Sequence, residues 1–442
     1  MHFASNNLTA KIPPDINPTY PHSAMVSAEE DHLLQPSSRS EYDGVTSAPR
    51  DGDEVESHSH PFRHPASFKP VVLVSIGIVV IGALAYKSLR PRPPSSATNL
   101  PYLDRDRGAK ELECEEDEQY SKHTLKRAYD MPFAALFRDN RGQTKFEASD
   151  VTIVNDTVYS VCDSSWAISK FARHLDPFSK ENVQIGDPNR EEGDSGYEAI
   201  LEFDGLFYVV RESVYHTDHG KKSKGSRGGD FHAIIEELHL YDDDYTVVRE
   251  CQCEFTFEGD SKGFEGAVGF PDVNENLYIL ALCEGNHCSE EKKKKKDIGN
   301  GRVVIMKKRD GDDRDNGCLW ETVRVVNIPE SAAFLDYSAI DITSSGRVAI
   351  ASQEDSSVWL GHASGISDGV IDPDAFEFND VKSSVLLFPR DGGCHTVYCN
   401  IEGIHFINDE MLMAVSDKMK SKGRQDFRCQ EKDQSIHAFV IP

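Results

Sequence analysis

Positive charge is in short supply in this chain. Its 48 lysines and arginines face 75 acidic side chains, a formal net charge of −27. Nucleic-acid binding needs basic surface to displace counterions, so no nucleic-acid partner is expected. Familiar catalytic signatures are also missing. There is no Gly-x-Ser-x-Gly elbow, no Walker loop and no His-Glu-x-x-His pair, and "GHASGISDG" at 361–369 is a Gly/Ser-rich loop without a nucleophile motif. None of the ten cysteines shows zinc-finger spacing. Large apolar residues are rare from Met1 to Lys69, which is rich in Ser, Pro, His, Asp and Glu. Residues 1–69 are therefore expected to stay disordered, with "HSHPFRH" a solvated stretch of that tail.

The run "PVVLVSIGIVVIGALAY", 70–86, is the one long uncharged segment, flanked by Lys69 and Lys87. At ~1.5 Å per residue it reaches about 25 Å, slightly less than a hydrocarbon core of about 30 Å. Snorkelling of Lys69, Lys87 and Arg90 closes that gap. It starts too far into the chain to be a signal peptide. A single transmembrane helix is expected over 70–88, then a stalk over 89–130 and a folded domain over 131–442. Orientation draws two opposing signals. Lys87, Arg90 and Arg92 after the span lean the domain towards the cytoplasm. All ten cysteines follow the span, and Cys283/Cys288 and Cys394/Cys399 are spaced to bridge short loops. Asn155-Asp156-Thr157 is a glycosylation acceptor. The second set prevails, giving a single-pass signal-anchor glycoprotein with its large domain lumenal or extracellular.

After Pro132 the pattern becomes short hydrophobic runs separated by Gly, Asn and Asp turns, with little helical periodicity. Five stretches align: "FEASDVTIVNDTVYSVCD" from Phe146, "YEAILEFDGLFYVVRE" from Tyr197, "FEGAVGFPDVNENLYILALCEG" from Phe264, "DYSAIDITSSGRVAIASQE" from Asp336 and "NIEGIHFINDEMLMAVSD" from Asn400. Each has Ser or Glu at a strand's start, a turn, and a second hydrophobic run closing on Asp or Glu. The leading residues are Ser149, Glu198, Glu265, Ser338 and Glu402; the closing acids are Asp163, Glu212, Glu284, Glu354 and Asp417. Leaders lie 49 to 73 positions apart, enough for about 40 to 50 residues of a four-stranded propeller blade plus insertions. Lys292 to Lys296 belongs to one such insertion, expected to be a solvated loop. The expected fold is all-β, a five-bladed β-propeller. "IHAFVIP" supplies the third strand of the last blade, and "MPFAALFRD", 131–139, supplies its outer strand, removing an exposed edge. The rival, a two-sheet sandwich, gives no reason for five similar hairpins with polar leaders.

In a propeller the leading residues converge on the central channel. Carboxylates crowded there repel and stay protonated unless a cation separates them. Carboxylate, hydroxyl and carbonyl oxygens suit Ca²⁺, and no leading position holds the His or Cys that zinc prefers. The closing acids are expected to pair with neighbours such as Arg211 or Lys418, or to end strands in solvent.

This ordered set resembles the calcium-activated nucleotidases, the apyrase family. In that family the central calcium is held by a Ser-Asp pair, then Glu, Glu, Ser and Glu. Here Ser149-Asp150, Glu198, Glu265, Ser338 and Glu402 stand in that order, and "IEGIHFI" is similar to the closing motif. The resemblance spans 146–417 and rests on the hairpin motifs. It implies Ca²⁺ as cofactor and phosphohydrolase activity. Ahead of the Ser-Asp pair, where the family carries an acidic strand motif, this chain supplies only Asp139. The chain is also similar to the SdiA-regulated and esterase-like phytase propellers, which share Glu-Gly blade starts. The functional expectation is a membrane-anchored, calcium-dependent hydrolase of nucleoside diphosphates or related phosphoesters. Arg211 would contact phosphate and Glu212 would position water. The alternative is a non-catalytic, calcium-stabilised propeller that binds a protein partner.

Overall fold

The computed structural model describes residues 122–442 except 191–192, 216–230, 260–261, 286, 289–298, 311–317 and 421–424. The expected tail, the membrane span at 70–88, the stalk up to residue 121 and the Lys292–Lys296 run lie outside the described residues. Among the described residues, no helix is long and apolar enough to cross a membrane.

Strand β1 (Lys126–Pro132) leads into one turn of helix, α1 (Phe133–Leu136). The five repeats then fold as antiparallel meanders. The first comprises β2 (Ala148–Val154), β3 (Thr157–Cys162), β4 (Ser165–Ala172) and β5 (Val183–Ile185), and the second β6 (Tyr197–Phe203), β7 (Leu206–Tyr215), β8 (Phe231–Leu240) and β9 (Tyr245–Phe257). The third holds β10 (Phe264–Pro271), β11 (Leu277–Cys283), β12 (Arg302–Asp310) and β13 (Cys318–Asn327). In the fourth, β14 (Ala339–Ile342), β15 (Arg347–Ser352) and β16 (Ser357–Ser364) are followed by a small hairpin, β17 (Ile366–Ser367) and β18 (Val370–Ile371), before β19 (Glu377–Leu387) completes the sheet. The fifth is β20 (Ile401–Asn408), β21 (Met411–Ser416) and β22 (Ser435–Val440), with β1 as its outer strand. The hairpins follow local turn chemistry. Asn155 and Asp156 both take positive φ (48° and 65°), as do Asp204 and Gly205 (52° and 78°), the geometry of a two-residue I′ loop that matches strand twist.

The first strands form a ring: β2 packs on β6 and β20, β6 on β10, β10 on β14, and β14 on β20. The apolar residues are divided among separate clusters, each lying between consecutive meanders. Ile168, Tyr197 and Val209 fill the first junction, Val210, Ile279 and Trp320 the second, Leu280, Ile350 and Trp359 the third. Val358, Ile404 and Phe439 fill the fourth, and Phe146, Val158 and Met413 close the circle. A sandwich would bury one slab between two sheets. A ring of wedge-shaped sheets with a core at every junction is a β-propeller.

Closure differs in detail from the sequence expectation. The outer strand is Lys126–Pro132, not 131–139, and residues 133–136 turn into α1. Pro132, which has no N–H for a ladder, stands last in the strand. The seam is pinned by Asp130 on β1. Its carboxylate accepts from His437 Nδ1 at 2.9 Å, Lys432 Nζ at 3.0 Å and the Tyr398 hydroxyl at 3.0 Å. His437 Nε2 meets Ser416 Oγ at 3.1 Å. The order Ser–His–Asp is that of a nucleophilic triad, but Ser416 and His437 are 1% and 0% exposed, so the series holds strands together.

Disulfides join Cys251 to Cys318, Cys283 to Cys288 and Cys399 to Cys429. The first ties β9 to β13, beside the parallel bridge that fuses the second and third meanders into one eight-stranded sheet. The second matches its loop spacing. Cys394 does not pair with Cys399: Arg390 and Thr396 pair across a tight turn that sets Cys394 apart, and Cys394 is disulfide-bonded elsewhere.

Candidate functional site

Four of the five leading residues share one backbone device. In the pairing of each first strand with the second, the register skips Ser149, Glu198, Glu265 and Glu402. Each is the extra residue of a β-bulge, the irregularity by which a strand re-aims a side chain. Ser338 sits just ahead of the first pair of β14, its N–H bonded to Ala351. The residue after each leader is Asp150, Ala199, Gly266, Ala339 or Gly403. Size matters there, because first strands of neighbouring meanders touch. A Cβ on Gly403 would stand 2.6 Å from Asp150 Cα, and one on Gly266 3.0 Å from the Ile340 nitrogen. The Glu-Gly pairs are thus a bulged carboxylate followed by the small residue that lets the ring close.

The closing acids lie at the same end of the channel. The N–H groups of Asp163, Glu212, Glu284 and Asp417 donate to the carbonyls of Glu147, Gly196, Gly263 and Asn400, each two residues ahead of a leader. In the fourth meander the Glu354 N–H donates to the carboxylate of Asp336, the residue in the matching place. Lys262 pairs with Glu284 at 2.8 Å and Lys418 pairs with Glu147.

Electrostatics shows these acids face one another. Burial, then Glu265, Glu212 and Glu402, pushes Glu198 well above the usual carboxylate range. Burial leads for Glu265 and Glu402 too, although both retain some exposure. Glu284 then raises Glu265, and Asp417 and Glu265 raise Glu402, with Lys420 partly offsetting both. Asp163 is driven to about 7 by burial and by Asp417, Asp194 and Glu212, and Asp417 to about 6 chiefly by burial. Several buried polar atoms on this rim make no hydrogen bond: Ser149 Oγ, Asp163 Oδ1, Ser164 Oγ, Gln353 Oε1 and Asn400 Nδ2. Buried polar groups are normally satisfied, at a cost of about 1–3 kcal/mol when they are not. A concentration of unsatisfied oxygens beside crowded acids is the setting a hard cation would relieve.

Other donors are partly spent. Ser338 Oγ donates to the Ile401 carbonyl at 2.8 Å and keeps its lone pairs. Asp150 Oδ2 accepts from the Ile200 N–H at 2.9 Å, stitching β2 to β6, while Asp341 does the same between β14 and β20 through Phe406. Below the mouth the channel is a cavity of about 360 Å³ lined by all five first strands, including Asp150, Ile200, Ala267, Ile340 and Ile404. Among the described residues, no group of three or more His, Cys, Asp and Glu side chains is drawn together as a metal cage. The leading set includes two serines as well as its three glutamates.

No protein-family model and no curated protein matches the chain. Solved structures share only a weak likeness. One is a GH43 β-xylosidase/α-arabinofuranosidase from a compost microbial metagenome, at 10% identity and TM-score 0.35, covering 72% of this chain and 95% of that one. Another is a luciferin-regenerating enzyme, at 9% and 0.33, covering 71% and 95%. A third is the aldose sugar dehydrogenase of Streptomyces coelicolor, at 11% and 0.32, covering 71% and 98%. At these scores they carry no argument; the strand ring does.

Arg211 and Glu212 part company in space. Arg211 donates through Nε to the Ser195 carbonyl at 3.1 Å and through Nη1 to Glu236 at 2.9 Å, and lies 4.9 Å from the Trp166 ring centre. Glu212 belongs to the rim, within reach of the charges on Glu198, Glu265 and Asp163. Asp139 is used locally, accepting from the Arg141 N–H at 2.9 Å. Asn155 is exposed in the β2–β3 turn, at the end of β2 away from Ser149. Sequence reasoning passed over Asp336, Asp194, Lys262, Lys420 and Asn400. Their signal was available for Asp336 and Asn400, each two residues ahead of a leader.

Proposed function

We propose that this protein is a five-bladed β-propeller that binds Ca²⁺ at the mouth of its channel and hydrolyses phosphoesters, nucleoside diphosphates in the first place. The observation that carries the reading is the conjunction of bulge-directed acids with unsatisfied buried oxygens on one rim. Glu198, Glu265, Glu402, Ser149 and Ser338 would hold the ion, with Asp150 stabilising the ring beneath. Calcium, when bound, supplies charge that orients phosphoryl oxygens and acidifies water. Glu212, half-buried and close to Glu198, is the group assigned to orient and deprotonate that water. Arg211, tied to Glu236 and Ser195, positions the strand end that carries Glu212. The segment 70–88 is proposed as the anchor, with the domain outside the cytosol. The three described disulfides and the exposed Asn155 support that side of the membrane.

The second reading, a calcium-pinned propeller that binds a protein partner without catalysis, is favoured by the local use of Asp139 and by Arg211's commitment to Glu236. Phosphate release from UDP or GDP by the full chain, with and without calcium, separates the two. Calcium-dependent turnover that falls at least about a hundredfold in Glu212→Gln is expected. Calcium-dependent stability with no turnover would establish the binding reading instead.

A further inference from the structure

The channel mouth is uneven around its circumference. Two places ahead of the leaders stand Glu147, Gly196, Gly263, Asp336 and Asn400. These positions carry side chains over the first, fourth and fifth meanders and none over the second and third. The fifth is covered further: the loops entering β20 and leaving β21 are tied by Cys399–Cys429 and by Arg428 Nε on Asp391 at 3.2 Å. Glu212 falls in the glycine gap. A Cβ on Gly196 would stand 3.5 Å from the Glu212 side chain, and one on Gly263 3.5 Å from the Glu212 Cα.

Lys262 borders the same gap. Its carbonyl accepts from the Ser213 N–H at 3.3 Å, and the next carbonyl, that of Gly263, accepts from the Glu284 N–H at 3.3 Å. Backbone bonds thus seat it between β7 and the end of β11. Its ammonium gives two N–H groups to Glu284, at 2.8 and 2.9 Å. The two side chains are 29% and 31% exposed, so the charge is fixed in place yet open to a ligand. It also draws down the carboxyl of Glu265, the leader of that meander. The other cations near the mouth are placed differently. Arg211 is committed to Glu236 and the Ser195 carbonyl. Lys418 and Lys420 follow β21 on the covered side, and Lys418 pairs with Glu147.

We infer that Lys262 is the phosphate contact of this mouth, and that substrate enters over the second and third meanders with its phosphoryl oxygens against the Lys262 ammonium, beside Glu212. Placing a phosphoester there rests on the proposed function. An ammonium is a point charge with three donors, so it can keep Glu284 and turn an N–H to a phosphoryl oxygen. Glu284 then acts as the holder of that charge, and its own negative charge opposes the ligand.

Titration calorimetry of the nonhydrolysable α,β-methylene analogue of UDP into the full chain with calcium tests it. Wild type should bind. Lys262→Gln should weaken binding about tenfold or more, the worth of one charged hydrogen bond. Lys262→Arg should recover part of the loss by restoring the charge. Glu284→Gln carries the opposite sign: it removes a negative charge beside the ammonium and should bind the analogue as tightly as wild type or tighter. A partly exposed pair adds little to stability, so the melting curves of all three variants should lie close to wild type. Equal binding by wild type and Lys262→Gln, or equal weakening by Lys262→Gln and Glu284→Gln, overturns the inference and leaves the hydrolase reading standing. A wild type that neither binds the analogue nor releases phosphate from UDP overturns both.

Discussion

At the scale of single residues, Glu198, Glu265 and Glu402 work as pairs with the residue that follows: a polar side chain turned out of the ladder by a bulge, then an Ala or Gly small enough for the next meander to approach. Gly403 is the sharpest case, because its Cβ position falls between Asp150 Cα and Val415 Cγ2, both at 2.6 Å. Gly403→Ala should cost about 1–3 kcal/mol by overpacking and displace Glu402 from the rim. Gly259, with nothing near its Cβ position and no positive φ, is the control. Urea denaturation read by tryptophan fluorescence should show a clear drop in midpoint for the first and nearly none for the second. A hydrophobic pattern could show that Glu265 and Glu402 recur at blade starts. The bulges themselves were not legible, because register depends on the partner strand.

At the scale of elements, the closing strand comes from the chain's other end. That much was legible, since the last repeat lacked a fourth strand. The exact segment was not, because "KRAYDMP" carries charge on both sides and reads as stalk. What recruits it is Asp130. Burial alone would raise this carboxyl, but His437 and Lys432 outweigh it and hold it below the usual range. Burial holds His437 down, against the pull of Asp130, so a neutral imidazole donates to the carboxylate. Asp130→Asn would leave Lys432 with half its pairing and should destabilise the domain by about 3 kcal/mol. Hydrogen exchange should localise the loosening to β1 and β22. Protection lost evenly over the ring would argue against a latch at this seam. The disulfides show the same division. Loop spacing revealed Cys283–Cys288, but it gave no sign that Cys399 meets Cys429 on a short 3₁₀ turn.

At the scale of the whole molecule, the apolar core is distributed among the junctions and the axis is left to oxygen donors. The repeat made the ring legible, and the ordering of Ser149, Glu198, Glu265, Ser338 and Glu402 made the rim legible. Arg211's ion pair was not, since it depends on Glu236, brought from a separate strand. The account predicts an unusual pH response. Asp163 and Asp417 titrate in the fold near 7 and 6, above about 4 in the unfolded chain. The folded state therefore binds more protons between those values, and stability of the calcium-free protein falls as pH rises through that window. A cation at the rim removes this penalty. The decisive measurement is thermal melting of the full chain at about pH 5 and about pH 7.5, with calcium and with chelator, for wild type and for Glu198→Gln/Glu265→Gln/Glu402→Gln. Wild type should melt lower at the higher pH without calcium and regain that loss with it, while the triple variant should show no calcium response. A triple variant stabilised by calcium as strongly as wild type would contradict the channel-mouth site.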